Sequence, residues 1–140
     1  MEYRRFDNTV YVRVDKGEEV LEQLRAVCAA EGVTLGHVSA LGATDDFTVG
    51  VFDVDTKVYH RLDFSGPHEI VSLTGTVTVK DGEHYSHLHM AAGNAAGQVV
   101  GGHLNRCVIS ATCELVLTVT PGRVERRFDE TVGLNLFRFE

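Results

Sequence analysis

Apolar and polar residues alternate with period two along most of this chain, which predicts a protein built mainly of β-strands. Val10, Val12 and Val14 share one face of residues 9–14, so that stretch should be a half-buried strand. The period then changes. Val20, Leu21, Leu24, Val27 and Cys28 recur at helical spacing, between Asp15 and Glu18, spaced as a capping box, and Gly32. This predicts one amphipathic helix starting after Asp15 and stopped by the glycine. Leu35–Ala43 reads as a short buried strand carrying a packed or hydrogen-bonded His37. Phe47–Val54 and Val58–Phe64 read as two strands joined near Asp55-Thr56, and Gly66-Pro67 as a break. In His68–Val79, Val71, Leu73, Val77 and Val79 fall on one face and Ser72, Thr74, Thr76 and Thr78 on the other. Asp81-Gly82 is a hairpin signal; it returns the chain into a strand whose Tyr85, His87, His89 and Ala91 face one way and Leu88 and Met90 the other. Gln98–Asn105 and Cys107–Thr120 supply two more strands, the second with an apolar face from Cys107 to Val119, and Val132–Phe139 a last one. Together these elements make an α+β domain: a strongly curved, mostly antiparallel sheet of about eight strands with one or two helices packed on it.

Composition narrows the class. The 140 residues suffice for one domain, residues 1–140, that buries about two-thirds of its unfolded surface. With 44% hydrophobic and 24% charged residues the chain fits a soluble globular protein. Its apolar runs are too short to span a bilayer. The first residues contain no apolar leader and run straight into a strand pattern, so the cytoplasm is the expected compartment. Cys28, Cys107 and Cys113 are an odd number, and the last two lie about 20 Å apart along one strand. They read as buried thiols of a reducing compartment. A net charge of −7 argues against a broad phosphate-binding face. Arg4-Arg5 and Arg123 with Arg126-Arg127 read as ordinary solvated patches.

The chemistry concentrates in HLHMAAGNAAGQVVGGHL, residues 87–104. His87 and His89 leave the same face of a strand. A hairpin around Gly93–Gly97 would bring His103 opposite them, behind Gly101-Gly102, whose missing Cβ atoms allow a crowded centre. Three imidazoles with an open fourth position are a common zinc arrangement; the alternative is a set of solvated or hydrogen-bonded histidines. Two carboxylates bear on this choice. Glu69 falls by parity on the apolar face of its strand, so either it sits at the strand's edge in water or it enters a partly dry site. Glu114, opposite the apolar face of its own strand, is a solvated residue or a second carboxylate near the site.

Beyond these readings, GPHEIVSLTG (66–75), HLHMAAGNAAGQVVGGHL (87–104) and SATCELVL (110–117) resemble the prokaryotic members of the PPC domain family, also called DUF296. GEEVLEQLRA (17–26) and GHVSALGA (36–43) extend the resemblance over nearly the whole chain. It implies a homotrimer with a bent, barrel-like antiparallel sheet, a fold similar to that of acetolactate decarboxylase, and zinc held by His87, His89 and His103. His68 stands where the family usually shows an aromatic. The plant members are AT-hook proteins, and the Arg-Gly-Arg-Pro hook of those proteins is absent here, so nucleic-acid binding through this domain alone is not expected. Two functions follow. One is a trimeric zinc-binding domain acting as a DNA-associated or regulatory binding module. The other is a zinc-dependent, lyase-like enzyme acting on a small keto or hydroxy acid, with Glu69 or Glu114 carrying a proton. The occupant of the fourth metal position separates them.

Overall fold

The N-terminal alternation becomes a hairpin in the computed structural model, which describes residues 1–139. Strands β1 (Glu2–Phe6) and β2 (Thr9–Asp15) pair antiparallel, with Val10, Val12 and Val14 in the core. Helix α1 (Val20–Glu31) starts later than Asp15 would set it, and its N-cap is Glu19, whose carboxylate accepts the Glu22 N–H. Half of the expected capping box forms, the Glu18 carboxylate accepting the Asp15 N–H at 2.8 Å, while the Asp15 carboxylate accepts from the N-terminal ammonium and Arg13 instead. However, the Gly17 N–H donates to the Ile109 carbonyl and the Ile109 N–H to the Glu18 carbonyl. Those two bonds hold the segment extended against a neighbouring strand and delay the helix. Gly32 ends it at φ 63, its N–H donating to the Cys28 carbonyl, a left-handed conformation that suits glycine. Val20, Leu24, Val27 and Cys28 face the core.

The remaining strands are β3 (Gly36–Phe52), β4 (Tyr59–Lys80), β5 (Glu83–Asn94), β6 (Val99–Val119), β7 (Glu125–Asp129) and β8 (Leu134–Arg138); β3, β4 and β6 are longer than the sequence pattern implies, β7 is additional, and β8 is shorter than the expected Val132–Phe139. β3 fuses two expected strands, β6 fuses two others, and β4 passes through Gly66-Pro67 without ending. Register shifts on β3 at Ala40/Gly42 and Thr44/Asp46, with Gly66 at φ 87, absorb the curvature as bulges. Bulges bend a strand where a turn would stop it. The sheet runs β1-β2-β6-β3-β4-β7-β8, and β5 pairs with both β4 and β6. Thus β3, β4, β5 and β6 close a ring of hydrogen-bonded strands around Phe47, Leu73, Leu88, Ile109, Leu115 and Leu117, while α1 covers the core with Leu24. Each such side chain is worth about 1.5–3 kcal/mol when fully buried.

Three readings change here. First, a register shift lies between Ile70 and Ser72; it puts Ile70 (2% exposed) and Leu73 (1%) inside and Val71 (57%) outside. Glu69 therefore points outward and is exposed, not into an apolar face. Second, His68 fills the aromatic position: its ring lies edge-on to Phe47 at 5.1 Å, and its Nδ1 bonds to the Gly66 carbonyl oxygen at 2.8 Å. Third, Arg126 is not a solvated residue. It lies on β7, a strand the alternation does not reveal, and is only 7% exposed.

Candidate metal centre

The hairpin of β5 and β6 sets the three histidines by register. His89 pairs directly with His103, and His87 precedes His89 by two residues on the same face. Ring centroids lie 5.1 Å apart for His87–His89 and His87–His103 and 5.7 Å for His89–His103. One nitrogen from each ring lies within 4.8 Å of the others. A tetrahedral ion with bonds of about 2.0–2.1 Å holds its nitrogens about 3.4 Å apart, so small side-chain rotations would gather them. Among the described residues no fourth histidine, cysteine or carboxylate joins the group.

Glycine makes this convergence possible. A Cβ on Gly75 would lie 2.0 Å from the His87 carbonyl oxygen, and one on Gly102 would lie 2.6 Å from the carbonyl oxygen of Gly50, the residue across from His103 on β3. No side chain larger than hydrogen fits at either point without parting the strands. Tyr59 flanks His103, its ring edge-on at 6.2 Å and its hydroxyl donating to Asn105 Oδ1.

The electrostatics favour neutral donors. Burial, then the neighbouring His103, Arg126 and His89, pushes His87 down to about 4. Burial and His89 also lower His103. Neutral imidazole is the form that binds a metal.

The structure brings His87, His89 and His103 together and leaves the two carboxylates apart. Glu69 pairs with Gly93, five residues along β4 from the Thr74 that pairs with His89, or about 16 Å. Glu114 pairs with Arg13 of β2 and Leu41 of β3, eleven residues along β6 from His103. His37 is exposed, and its Nε2 shares a 3.3 Å hydrogen bond with the Thr74 hydroxyl. Arg126 is the residue that sequence reasoning missed. Its Nη2 donates to Thr76 Oγ1 at 3.2 Å, and Thr76 is the β4 partner of His87. No local pattern signals this, since Arg127 and Phe128 beside it are both exposed and Arg126 reads as one of three clustered arginines.

The Plants and Prokaryotes Conserved (PCC) domain model matches residues 1–121. The chain belongs to that family. Solved structures agree across the PCC fold. A metal-containing protein from Archaeoglobus fulgidus is 32% identical, with a TM-score of 0.87 over 99% of this chain and 97% of that one. A plant- and prokaryote-conserved protein from Pyrococcus horikoshii is 29% identical, with a TM-score of 0.85 over 99% and 94%. A Bacteroides thetaiotaomicron protein provisionally described as DNA-binding is 28% identical, with a TM-score of 0.96 over 99% and 96%. Among curated proteins, the bifunctional protein GlmU of a Synechococcus strain is 32% identical over 127 residues, 87% of this chain. The chain spans only 18% of that relative's length. No helix among the described residues is long and apolar enough to cross a membrane.

Proposed function

We propose that this PCC domain binds one zinc ion per chain through His87, His89 and His103 and presents the fourth position to water or a small ligand. The supporting observation is the convergence of three imidazoles, two of them held neutral by burial, with no carboxylate in the group. Three neutral ligands leave zinc its full charge, which suits a site that takes up an anion or polarises an oxygen. The metal-containing relative from Archaeoglobus supports a metal at this fold. Elemental analysis and zinc titration test the reading. The expected result is about one zinc per chain in the wild type and none in the His87→Ala/His89→Ala double variant; undiminished zinc in the variant refutes it.

The assembly is proposed to be a homotrimer. Val51, Val54, Val58 and Leu62 on the β3–β4 hairpin and Leu134, Leu136 and Phe137 on β8 are exposed apolar residues, which association would cover. Light scattering reads the mass directly. DNA association, where it occurs, would need a partner or added segment, because the chain carries a net charge of −7 and phosphate binding depends on cations. The enzyme reading, lyase-like chemistry on a small keto or hydroxy acid, draws on the open fourth position. Glu69 and Glu114 do not serve it within one chain, since register holds both away from the imidazoles.

A further inference from the structure

Arg126 lies beyond the family-matched residues, which end at 121, yet it packs beside the histidines. Its guanidinium sits 4.7 Å from the Tyr85 ring centre and 4.5 Å from that of Phe137. Nε donates to Thr78 Oγ1 at 2.8 Å, Nη1 to the Asn135 carbonyl at 2.8 Å and Nη2 to Thr76 Oγ1 at 3.2 Å. All three acceptors are neutral. The exposed Arg5, Arg13, Arg61, Arg106 and Arg123 each have a carboxylate partner. Buried Arg126 forms no salt bridge among the described residues. A buried cation without a counter-charge is costly, by several kcal/mol per ion, which points to an anion that belongs in this place.

Register locates that place. Thr76 pairs with His87 and Thr78 with Tyr85, and directly opposed strand residues have Cβ atoms about 4.5–5.5 Å apart. The guanidinium therefore lies over the row that leads to His87. Three of its five N–H groups are engaged, leaving two free, and a planar guanidinium suits a carboxylate. A second, independent observation adds a demand of opposite sense. Asn135 Oδ1 is buried without a hydrogen-bond partner, while its Nδ2 reaches the Tyr85 hydroxyl at 3.4 Å. The β7–β8 hairpin thus carries a cation without a counter-charge among the described residues and, on Asn135, a side-chain acceptor without a partner, and both residues reach Tyr85.

We infer that the β7–β8 hairpin completes the histidine site by supplying the recognition groups for a small hydroxycarboxylate, Arg126 binding its carboxylate and Asn135 Oδ1 accepting from its hydroxyl. This rests on the zinc reading above for the position of the ligand, and deepens it by naming the ligand class. Arg126 here is a binding residue for the ligand, with no assigned role in bond making or breaking.

Calorimetric titration of the zinc-loaded protein with lactate, with acetate and inorganic phosphate as parallel arms, tests it. Lactate should bind more tightly than either acetate or phosphate, and Arg126→Met should weaken it at least tenfold while zinc per chain stays unchanged. Asn135→Asp, nearly isosteric, places a carboxylate beside Arg126 and should block lactate with no loss of melting temperature, which keeps the test open where Arg126→Met folds poorly. Equal lactate affinity in wild type and both variants overturns the proposal, as does phosphate binding tighter than lactate. A wild type that ignores lactate while Arg126→Met changes the mass by light scattering also overturns it, assigning Arg126 to a subunit contact. If the wild type binds no zinc, the same titration on metal-free protein separates the two readings: weaker lactate binding that still depends on Arg126 supports this one, and no binding refutes it.

Discussion

Replacing Gly75 with alanine tests whether the metal centre depends on the close approach of β4 to β5. Gly75 pairs with Leu88 on one side and Val38 on the other. A Cβ there would lie 2.0 Å from the His87 carbonyl oxygen and 2.7 Å from Leu88 Cα, both backbone atoms that cannot rotate away. Ordinary contact needs well over 3 Å, so the strands must part by more than 1 Å against a normal spacing of about 4.8 Å. Overpacking of this kind costs about 1–3 kcal/mol. It also displaces the His87 backbone, whose carbonyl oxygen the new Cβ would meet, so zinc affinity should fall with stability. Gly93→Ala is the control. Its Cβ would meet only Val71 and Val99 side chains, at 3.8 and 3.9 Å, and alanine within a strand gains roughly 0.5–1 kcal/mol over glycine. In urea, with a slope of about 1–3 kcal/mol per molar, Gly75→Ala should lower the midpoint by roughly 1 M while Gly93→Ala holds or raises it. Protein concentration must be fixed, because association shifts the apparent stability. Equal midpoints and equal zinc affinity in the two variants would refute the argument.

Two further outcomes follow from the ionisation of buried groups. His87 is held down to about 4 and His103 is lowered, so the unfolded chain takes up protons near its ordinary 6.5 while the native state does not. Stability of the metal-free protein should be intact above that value, fall as pH drops through the interval toward 4, and level off below; urea midpoints at several pH values check this, and a flat profile contradicts it. The thiols of Cys28, Cys107 and Cys113 are buried and pushed up to about 12, 11 and 12 by burial. They should resist alkylation at about pH 8 until urea opens the core, and labelling of the native protein at rates comparable to the unfolded chain would show the packing to be wrong.

The sequence pattern conveys the β5–β6 hairpin well, because Asp81-Gly82, the HxH pair and the double glycine are all local signals. Asp81 at φ 53 and Gly82 at φ 83 form the turn those two residue types favour. Parity fails where a residue is inserted. The shift between Ile70 and Ser72 reverses the face assigned to Glu69, and nothing in a period-two count registers an extra residue. Gly66-Pro67 misleads for the same reason, since a bulge and a chain break use the same residues. Arg126 was hidden by its neighbours: Arg123 and Arg127 are exposed, and only the pairing of β7 with β8 turns the middle arginine inward. His68 shows the converse, a departure in residue type that leaves the packing role intact, with its ring against Phe47 and Phe64.

The closed ring of β3, β4, β5 and β6 also sets the order in which the chain can assemble. His87, His89 and His103 lie on one hairpin, joined by a turn at Asn94 where the Gly97 N–H returns to the Asn94 carbonyl, so their loop closure is among the least costly in the molecule. The wall behind His103 is another matter. Gly50 reaches it through β3, whose other end pairs Gly36 with Val119, a contact between distant parts of the chain that slows folding. The ligand set can therefore gather early and its enclosure must come late, and a metal present during refolding would meet three imidazoles on a hairpin before it met a finished site.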